Sequence, residues 1–224
     1  MDKQASVTST ARGRKGDATR NQILDACEIL FARSGYLGTS LRDIAAEADV
    51  RMGVVHYHFG NKHLIMDAAV ERKLDLLRQT IADSFDAAKR SALPFDTRAA
   101  ITAFISPFLQ AASDKDGALQ NYIVMTSHLM SGYRLPELRP VLAKLSIVSQ
   151  ILIDHLRELA PAASDEALLA GVYFVEAALI FIVQDPGFLD DISGGHHSVF
   201  RLEDLTRRAL QFFHGGLESV LNGP

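Results

Sequence analysis

Residues 39 to 62 read Thr39-Ser40-Leu41-Arg42-Asp43-Ile44-Ala45-Ala46-Glu47-Ala48-Asp49-Val50-Arg51-Met52-Gly53-Val54-Val55-His56-Tyr57-His58-Phe59-Gly60-Asn61-Lys62. Thr39 or Ser40 can cap a helix through a side-chain oxygen. Ser40 with Asp43 three residues on has the form of a capping box, which predicts a helix starting near Leu41. Leu41, Ile44, Ala45 and Ala48 fall at helical spacing and form its buried stripe. Asp49 should break it, because aspartate is among the few non-glycine residues that accept a left-handed backbone, and Val50 can then turn inward to plug the corner. A second short helix follows from about Met52 to His58. Val54, Val55 and Phe59 give it an inner face, and Arg51, Met52, His56, Tyr57 and His58 are left for a partner. Two short helices joined at a tight corner make a helix-turn-helix whose second member can enter a DNA groove.

The positive charges of this stretch sit where a free protein gains little from them. Arg51 precedes the second helix, and Lys62 follows Asn61, the predicted cap of the next one. A cation at a helix N-terminus opposes the macrodipole. A phosphate would reverse that sign, since free N–H groups and cations attract it together. The plain alternative is that both side chains extend into solvent.

Gly35-Tyr36, Thr39-Ser40, Ile44-Ala45, Ala48, Val50, Gly53, Tyr57-His58-Phe59 and Lys62-x-Leu64 together resemble the DNA-binding domain of TetR-type transcriptional regulators, over roughly residues 17 to 66. Three positions depart from the family pattern: Asp49 stands where glycine is usual, Arg51 where a small capping residue is usual, and His56 where a phosphate-contacting tyrosine is usual. The expected DNA-contacting set is Thr39, Ser40, Arg42, Arg51, Met52, Gly53, His56, Tyr57, His58 and Lys62.

The 224 residues carry a formal charge of −4, unevenly distributed. Residues 1 to 62 hold 9 Lys/Arg and 7 Asp/Glu, net +2, and the remainder holds 14 against 20, net −6. The basic end therefore coincides with the helix-turn-helix. Residues 1 to 16, small and polar with Lys3, Arg12, Arg14 and Lys15, read as a disordered arm. Residues 17 to 62 read as the DNA-binding domain, and 63 to 224 as a helical effector-binding and dimerisation domain. A single cysteine, Cys27, excludes an internal disulfide framework and suits a reducing cytoplasm, and its spacing from Ile23 and Leu30 makes it a core thiol. The N-terminus lacks the apolar core of a secretory signal or membrane anchor.

Nothing along the chain alternates as a strand does, so the fold expected is all-α. The first helix runs from Asp17 to Arg33, stopped by Gly35. A long helix from Asn61 to about Lys89 carries a stripe of Leu64, Ala68, Leu74, Leu77, Ile81 and Phe85. In a TetR-like arrangement it joins the two domains and transmits movement between them. Further helices are predicted over 95–112, with Pro107 inside, and over 118–130, 136–159, 165–184 and 202–221. Between them lie the breaks Ser131-Gly132, Asp185-Pro186-Gly187 and Gly194-Gly195.

The segment from Ala167 to Val183 is apolar nearly all round, so it should be buried on more than one side. At 17 residues with Glu176 near its middle it suits a membrane poorly. One face is expected on its own domain and another on a second subunit, with Phe174, Phe181, Leu210, Phe213 and Leu217 in the dimer interface. This pairing resembles the four-helix dimer interface of TetR-type regulators, and two-fold symmetry would set two recognition helices on a palindromic operator. The segment after Leu135 is also similar, more loosely, to a C-terminal domain of this family in which some members sense fatty-acyl compounds.

Phe104, Phe108, Tyr122, Met125, Thr126, His128, Leu129, Tyr173 and Gln184 are the residues expected to line a cavity for a small, largely apolar effector. Glu176 is a further candidate for orienting that effector, and pairing within the protein or across the dimer is the favoured reading for it. Walker loop, dinucleotide fingerprint and nucleophile elbow are all missing, and adjacent His196-His197 lack the i, i+4 spacing of a helical metal site. The reading is therefore a cytoplasmic homodimeric repressor, not an enzyme, with no cofactor and no resident metal. A metal-responsive regulator, or a helical protein-binding module without specific DNA recognition, is the alternative.

Overall fold

The computed structural model describes residues 4–91, 93–114, 116–130, 132, 134–185, 187–197 and 203–223, with side chains from Gly16 onward except at 203–205. Met1 to Lys3 of the expected arm, Ser131, Pro186 and Leu202 lie outside the described residues. Among the described residues ten α-helices follow one another, with a short 3-10 turn, Pro136–Leu138, before the seventh, and there is no strand.

Helix α1 spans Gln4–Ser34 and is followed by Gly35 at φ +65. It begins thirteen residues before the expected start at Asp17, so the segment read as an irregular arm is helical from Gln4. Ala5, Ala11, Arg12, Arg14 and Lys15 are sound helix formers, and no proline interrupts them. Helix α2, Leu41–Glu47, has the expected capping box, with the Asp43 amide donating to Ser40 Oγ and Asp43 Oδ2 accepting from the Ser40 amide. The Ser40 hydroxyl and the Ser40 amide both donate to Asp43 Oδ2, and these two hydrogen bonds hold the carboxyl below its ordinary range. Asp49 takes φ +49, the turn expected of it, and α3 spans Met52–Phe59.

Helix α4, Lys62–Arg90, is capped by Asn61, whose Oδ1 accepts from the Leu64 amide. Its buried stripe differs from the expected one in the first half. Ile65, Met66, Ala69 and Val70 are inside, whereas Leu64 is exposed. Both sets keep helical spacing, and the helices packed against α4 decide between them. From Leu77 to Phe85 the expected stripe holds.

The body comprises α5 (Thr97–Ser113), α6 (Gln120–Met130), α7 (Arg139–Leu159), α8 (Asp165–Gln184), a short α9 (Phe188–Ile192) not anticipated from sequence, and α10 (Glu203–Leu221). Helix α5 continues through buried Pro107. Helix α8 buries Leu168, Gly171, Val172, Val175, Leu179 and Val183 and exposes a second apolar face of Leu169, Tyr173, Phe174 and Phe181. It spans 165–184 as expected, 20 residues, and by length and composition alone could cross a membrane. Gly171 leaves room for α10, because a Cβ there would lie 2.2 Å from Leu217 Cδ1.

Cys27 is fully buried among Ile23, Leu24 and Phe31, and burial pushes its thiol pKa well up, which makes it a core residue and an inert one.

Candidate nucleic-acid interface and effector cavity

The surface of α3 is built by what its inner side chains hold. Val55 and Phe59 are buried, and Arg20 from α1 lies 5.1 Å from the Phe59 ring centroid. Gln22 Nε2 donates to Ala48 O at 2.7 Å, which fixes the end of α2 against α1. With its inner side anchored, α3 presents Tyr57 at 84% exposure, packed edge-on to His58 at 5.2 Å. His56 is exposed and its Nδ1 lies 2.8 Å from Gly60 O. A carbonyl only accepts, so Nδ1 carries the proton there and Nε2 is left facing outward. Arg51 and Arg42 are exposed, and Arg51 occupies the N-cap of α3 without a side-chain cap bond. Gly53 is open on the same side, with nothing within 4 Å of an added Cβ, and Met52 is half-buried beside it.

Two members of the expected DNA-contacting set are turned inward. Thr39 is buried, and its hydroxyl lies 2.9 Å from Gly35 O and 3.3 Å from Leu30 O, closing the loop after α1. Lys62 neither reaches out nor hangs in solvent. Its Nζ donates to Tyr36 O at 2.7 Å and Thr39 O at 2.9 Å and sits 4.1 Å from the Tyr36 ring centroid. Desolvation lowers its pKa, and the negative charge of Glu137 opposes that. The physical reason is local: the first turn of α4 offers no free carbonyls, and the α1–α2 loop beside it offers two. Ser40 remains exposed, but its hydroxyl is already engaged with Asp43. Lys62→Met is therefore expected to lower stability by about 1–2 kcal/mol through lost charge-assisted hydrogen bonds. Urea unfolding of the variant checks this, and an unchanged midpoint would remove the clamp.

The second feature is a cavity of about 70 Å³ between α4, α5, α6, α7 and α8. Phe104, Phe108 and Thr126 line it as expected, joined by Leu77, Ile123, Met130, Val148, Leu179 and others. The remaining expected ligand contacts lie elsewhere. Tyr122 is fully buried on the far side of α6, with its OH donating to Val70 O at 2.8 Å, and burial pushes its pKa above the ordinary tyrosine range. Met125 and Leu129 are core residues outside the cavity wall, as His128 is outside it, half-buried. Gln184 Nε2 donates to Ser127 O, tying α8 to α6. Tyr173 is 68% exposed on the outer face of α8, beside Phe174. Helical phase explains the misses on α6: Ile123, Thr126, Ser127 and Met130 share one face of the helix, and Tyr122, Met125, His128 and Leu129 fall on the other.

Glu176 pairs within the protomer, the reading favoured from sequence, and does so at the cavity. It lies in the cavity wall, where Ser149 donates a hydrogen bond to it. Burial raises its pKa, and the Ser149 bond opposes that. An acid with a raised folded pKa stabilises the fold most when protonated, below its unfolded value near 4.5, and that contribution is lost as pH rises through the folded pKa. Glu176→Gln should thus melt a few degrees above the wild type at pH 8, with the gap closing below pH 4.5. Melting curves across that range test the sign.

On the expected dimer face, Phe174 and Phe181 are exposed, as an interface requires, and Leu210 is half-buried. Phe213 and Leu217 are instead buried in the protomer, at 5% and 2% exposure, because α10 lays them onto α8. Their neighbour Phe212, at 74%, takes the outward position that sequence reasoning gave to Phe213.

A network ties α1 to α4 and to the segment before α6. Glu28 of α1, buried, accepts from Arg72 and Lys73 of α4; Arg72 also pairs with Asp25, and Lys73 also donates to Ala118 O just before α6. Helix α6, which lines the cavity, lies along α1. Among the described residues no three His, Cys, Asp or Glu side chains converge as a metal site.

An N-terminal helix-turn-helix with an outward second helix, set on a larger helical body with its own cavity, defines the class of two-part helical regulators. Residues 23–69 match the family model of bacterial regulatory proteins of the tetR family, and residues 102–216 match that of the tetracyclin repressor-like C-terminal domain. The chain belongs to the TetR family of transcriptional regulators. It is similar to the transcriptional repressor KstR2 of Rhodococcus jostii, 29% identical over 131 residues that cover 58% of each chain. It is also similar to the regulator LmrA of Bacillus subtilis, 40% identical over 73 residues, 32% of this chain and 38% of LmrA. The matched part thus spans little more than half of the one relative and about two fifths of the other. A TetR-family regulator from Rhodococcus shares the fold, with a TM-score of 0.61 at 19% identity, over 92% of this chain and all of that one.

Proposed function

We propose that the protein is a homodimeric, cytoplasmic repressor whose α3 helices read a palindromic operator and whose cavity binds a small, largely apolar effector that releases the DNA. The observation that carries this reading is the physical continuity between the two features. Helix α6 supplies Ile123, Thr126, Ser127 and Met130 to the cavity and lies along α1, which Glu28 ties to α4. A ligand that displaces α6 would shift α1 and change the separation of the two α3 helices, so both half-sites can no longer be engaged together. Arg42, Arg51, His56, Tyr57 and His58, with the open backbone at Gly53, are the DNA-facing set in this reading. The repressor activity of KstR2, to which the chain is similar, supports the sign of the regulation. The domain division at residues 62 and 63 follows the same reading, with α4 as the shared element.

The exposed stripe of Leu169, Tyr173, Phe174 and Phe181, continued by Phe212 of α10, is the face a second copy covers. That reading accounts for the membrane-like composition of α8 without a membrane. Phe181→Arg should convert the dimer to a monomer in sedimentation velocity while leaving the helical signal intact, because an unpaired cation resists burial in an apolar interface. A dimer that survives this change would move the interface elsewhere.

Fluorescence anisotropy against DNA from upstream of the protein's own gene, over a salt series, tests the function. Tight, saturable binding absent on scrambled DNA supports it. Weak binding that depends only on salt on every fragment of a genome-wide selection would instead favour a helical module for protein contacts.

A further inference from the structure

Among the described residues the cavity wall carries one charge, and it is negative. Of the described residues that line it, all are apolar or hydroxyl-bearing except Glu176, and no Lys, Arg or His is among them. Two of the three hydroxyls are engaged within α6: Thr126 Oγ1 lies 2.9 Å from Tyr122 O and 3.0 Å from Ile123 O, and Ser127 Oγ donates to Val124 O at 2.7 Å. The third, Ser149, donates to Glu176. The carboxylate therefore keeps open acceptor positions, facing a space that is otherwise hydrocarbon. A carboxylate accepts about four hydrogen bonds, and Ser149 fills one of them.

We propose that the effector is a compact lipophilic amine, its ammonium held by Glu176 and Ser149 and its hydrocarbon part packed among Phe104, Phe108, Val148 and Leu179. This rests on the effector role given to the cavity above. The charge argument selects among ligand classes. A carboxylate or phosphate group entering this space would meet Glu176 with no cation in the wall to balance it. A neutral alcohol could donate one hydrogen bond but would leave an ionised carboxylate buried without a counter-charge. An ammonium supplies three donors and the missing charge at once, in a low-dielectric setting where both are worth most. Burial that disfavours the ionised Glu176 is what a cation would relieve. The volume of about 70 Å³ is less than half the roughly 150 Å³ of a cavity that holds benzene, so the helices must part for a ring to enter.

Three probes of one shape separate the possibilities: cyclohexylmethylamine, cyclohexanemethanol and cyclohexanecarboxylate. The readout is the 13C-methyl resonance of Met130, which lines the cavity, in the full-length protein and in Glu176→Gln, with circular dichroism as the check on folding. The expected result is that the amine shifts the Met130 signal with at least tenfold higher affinity than the alcohol, that the carboxylate leaves it unmoved, and that Glu176→Gln abolishes the preference for the amine. Equal affinity of amine and alcohol in the wild type would overturn the amine assignment while leaving the cavity as a ligand site. So would a tenfold preference that survives in Glu176→Gln, or binding of the carboxylate. No shift of Met130 by any of the three at millimolar concentration would overturn both the amine assignment and the effector role of the cavity. The wild-type comparison is decisive by itself if the variant does not fold.

Discussion

Glu28→Ala is expected to destabilise the protein by about 3 kcal/mol, since removing one partner of a buried ion pair strands the others. Glu28 is 3% exposed and is the acceptor shared by Arg72 and Lys73. The value sits at the low end of the range for buried pairs because Arg72 can still turn to Asp25 and both cations reach solvent at about a fifth of their surface, 19% and 23%. Glu28→Gln keeps a hydrogen-bond acceptor and should lose less. Urea unfolding of both variants measures the difference, and a midpoint unchanged in Glu28→Ala would show that the network contributes nothing. The functional consequence follows from position. The same residue ties α1 to α4 and, through Lys73 and Ala118 O, to the start of α6. A folded Glu28→Gln should therefore bind operator DNA but respond less to effector.

Tyr57→Ala is expected to weaken operator binding with little effect on stability. The ring is 84% exposed, so its removal from the free protein costs almost no buried surface. Loss of one contact at a DNA interface is worth about 1–2 kcal/mol. Both half-sites lose it together, so the dimer loses about 2–4 kcal/mol, a fall of roughly 30- to 1000-fold in affinity. Anisotropy titration beside a thermal melt separates the two effects. A variant with unchanged melting and unchanged affinity would remove Tyr57 from the reading surface. Lys62 does not give this clean separation, because its ammonium is committed to Tyr36 O and Thr39 O, and its replacement disturbs the placement of α2 and α3 as well as the charge.

The two predictions draw on different kinds of information. Tyr57 as an outward residue was legible in the sequence, because α3 has one apolar face of Val55 and Phe59 and Tyr57 lies off it. Glu28 was not, since it falls in a helix whose apolar stripe it shares with Ile23, Cys27 and Phe31, and its partners Arg72 and Lys73 are 44 and 45 residues away. A buried carboxylate on an otherwise apolar face is a signal that could have pointed to it. Its partners could be named only once α1 and α4 were in contact.

The sequence by itself determined the all-helical class, most helix boundaries, the Ser40–Asp43 cap, the left-handed turn at Asp49, the outward position of Tyr57 and the resemblance to TetR-type regulators. These depend on interactions within a few residues, which composition and spacing fix directly. Only the tertiary structure decided that Lys62 and Thr39 turn inward, that Phe212 faces out while Phe213 and Leu217 face in, that Tyr173 leaves the cavity and that Glu176 enters its wall. The physical reason is the same in each case. A helix apolar on two faces, or a cation beside a loop, has several local solutions of nearly equal energy, and the choice is made by whichever carbonyl, ring or neighbouring helix the rest of the fold brings within reach.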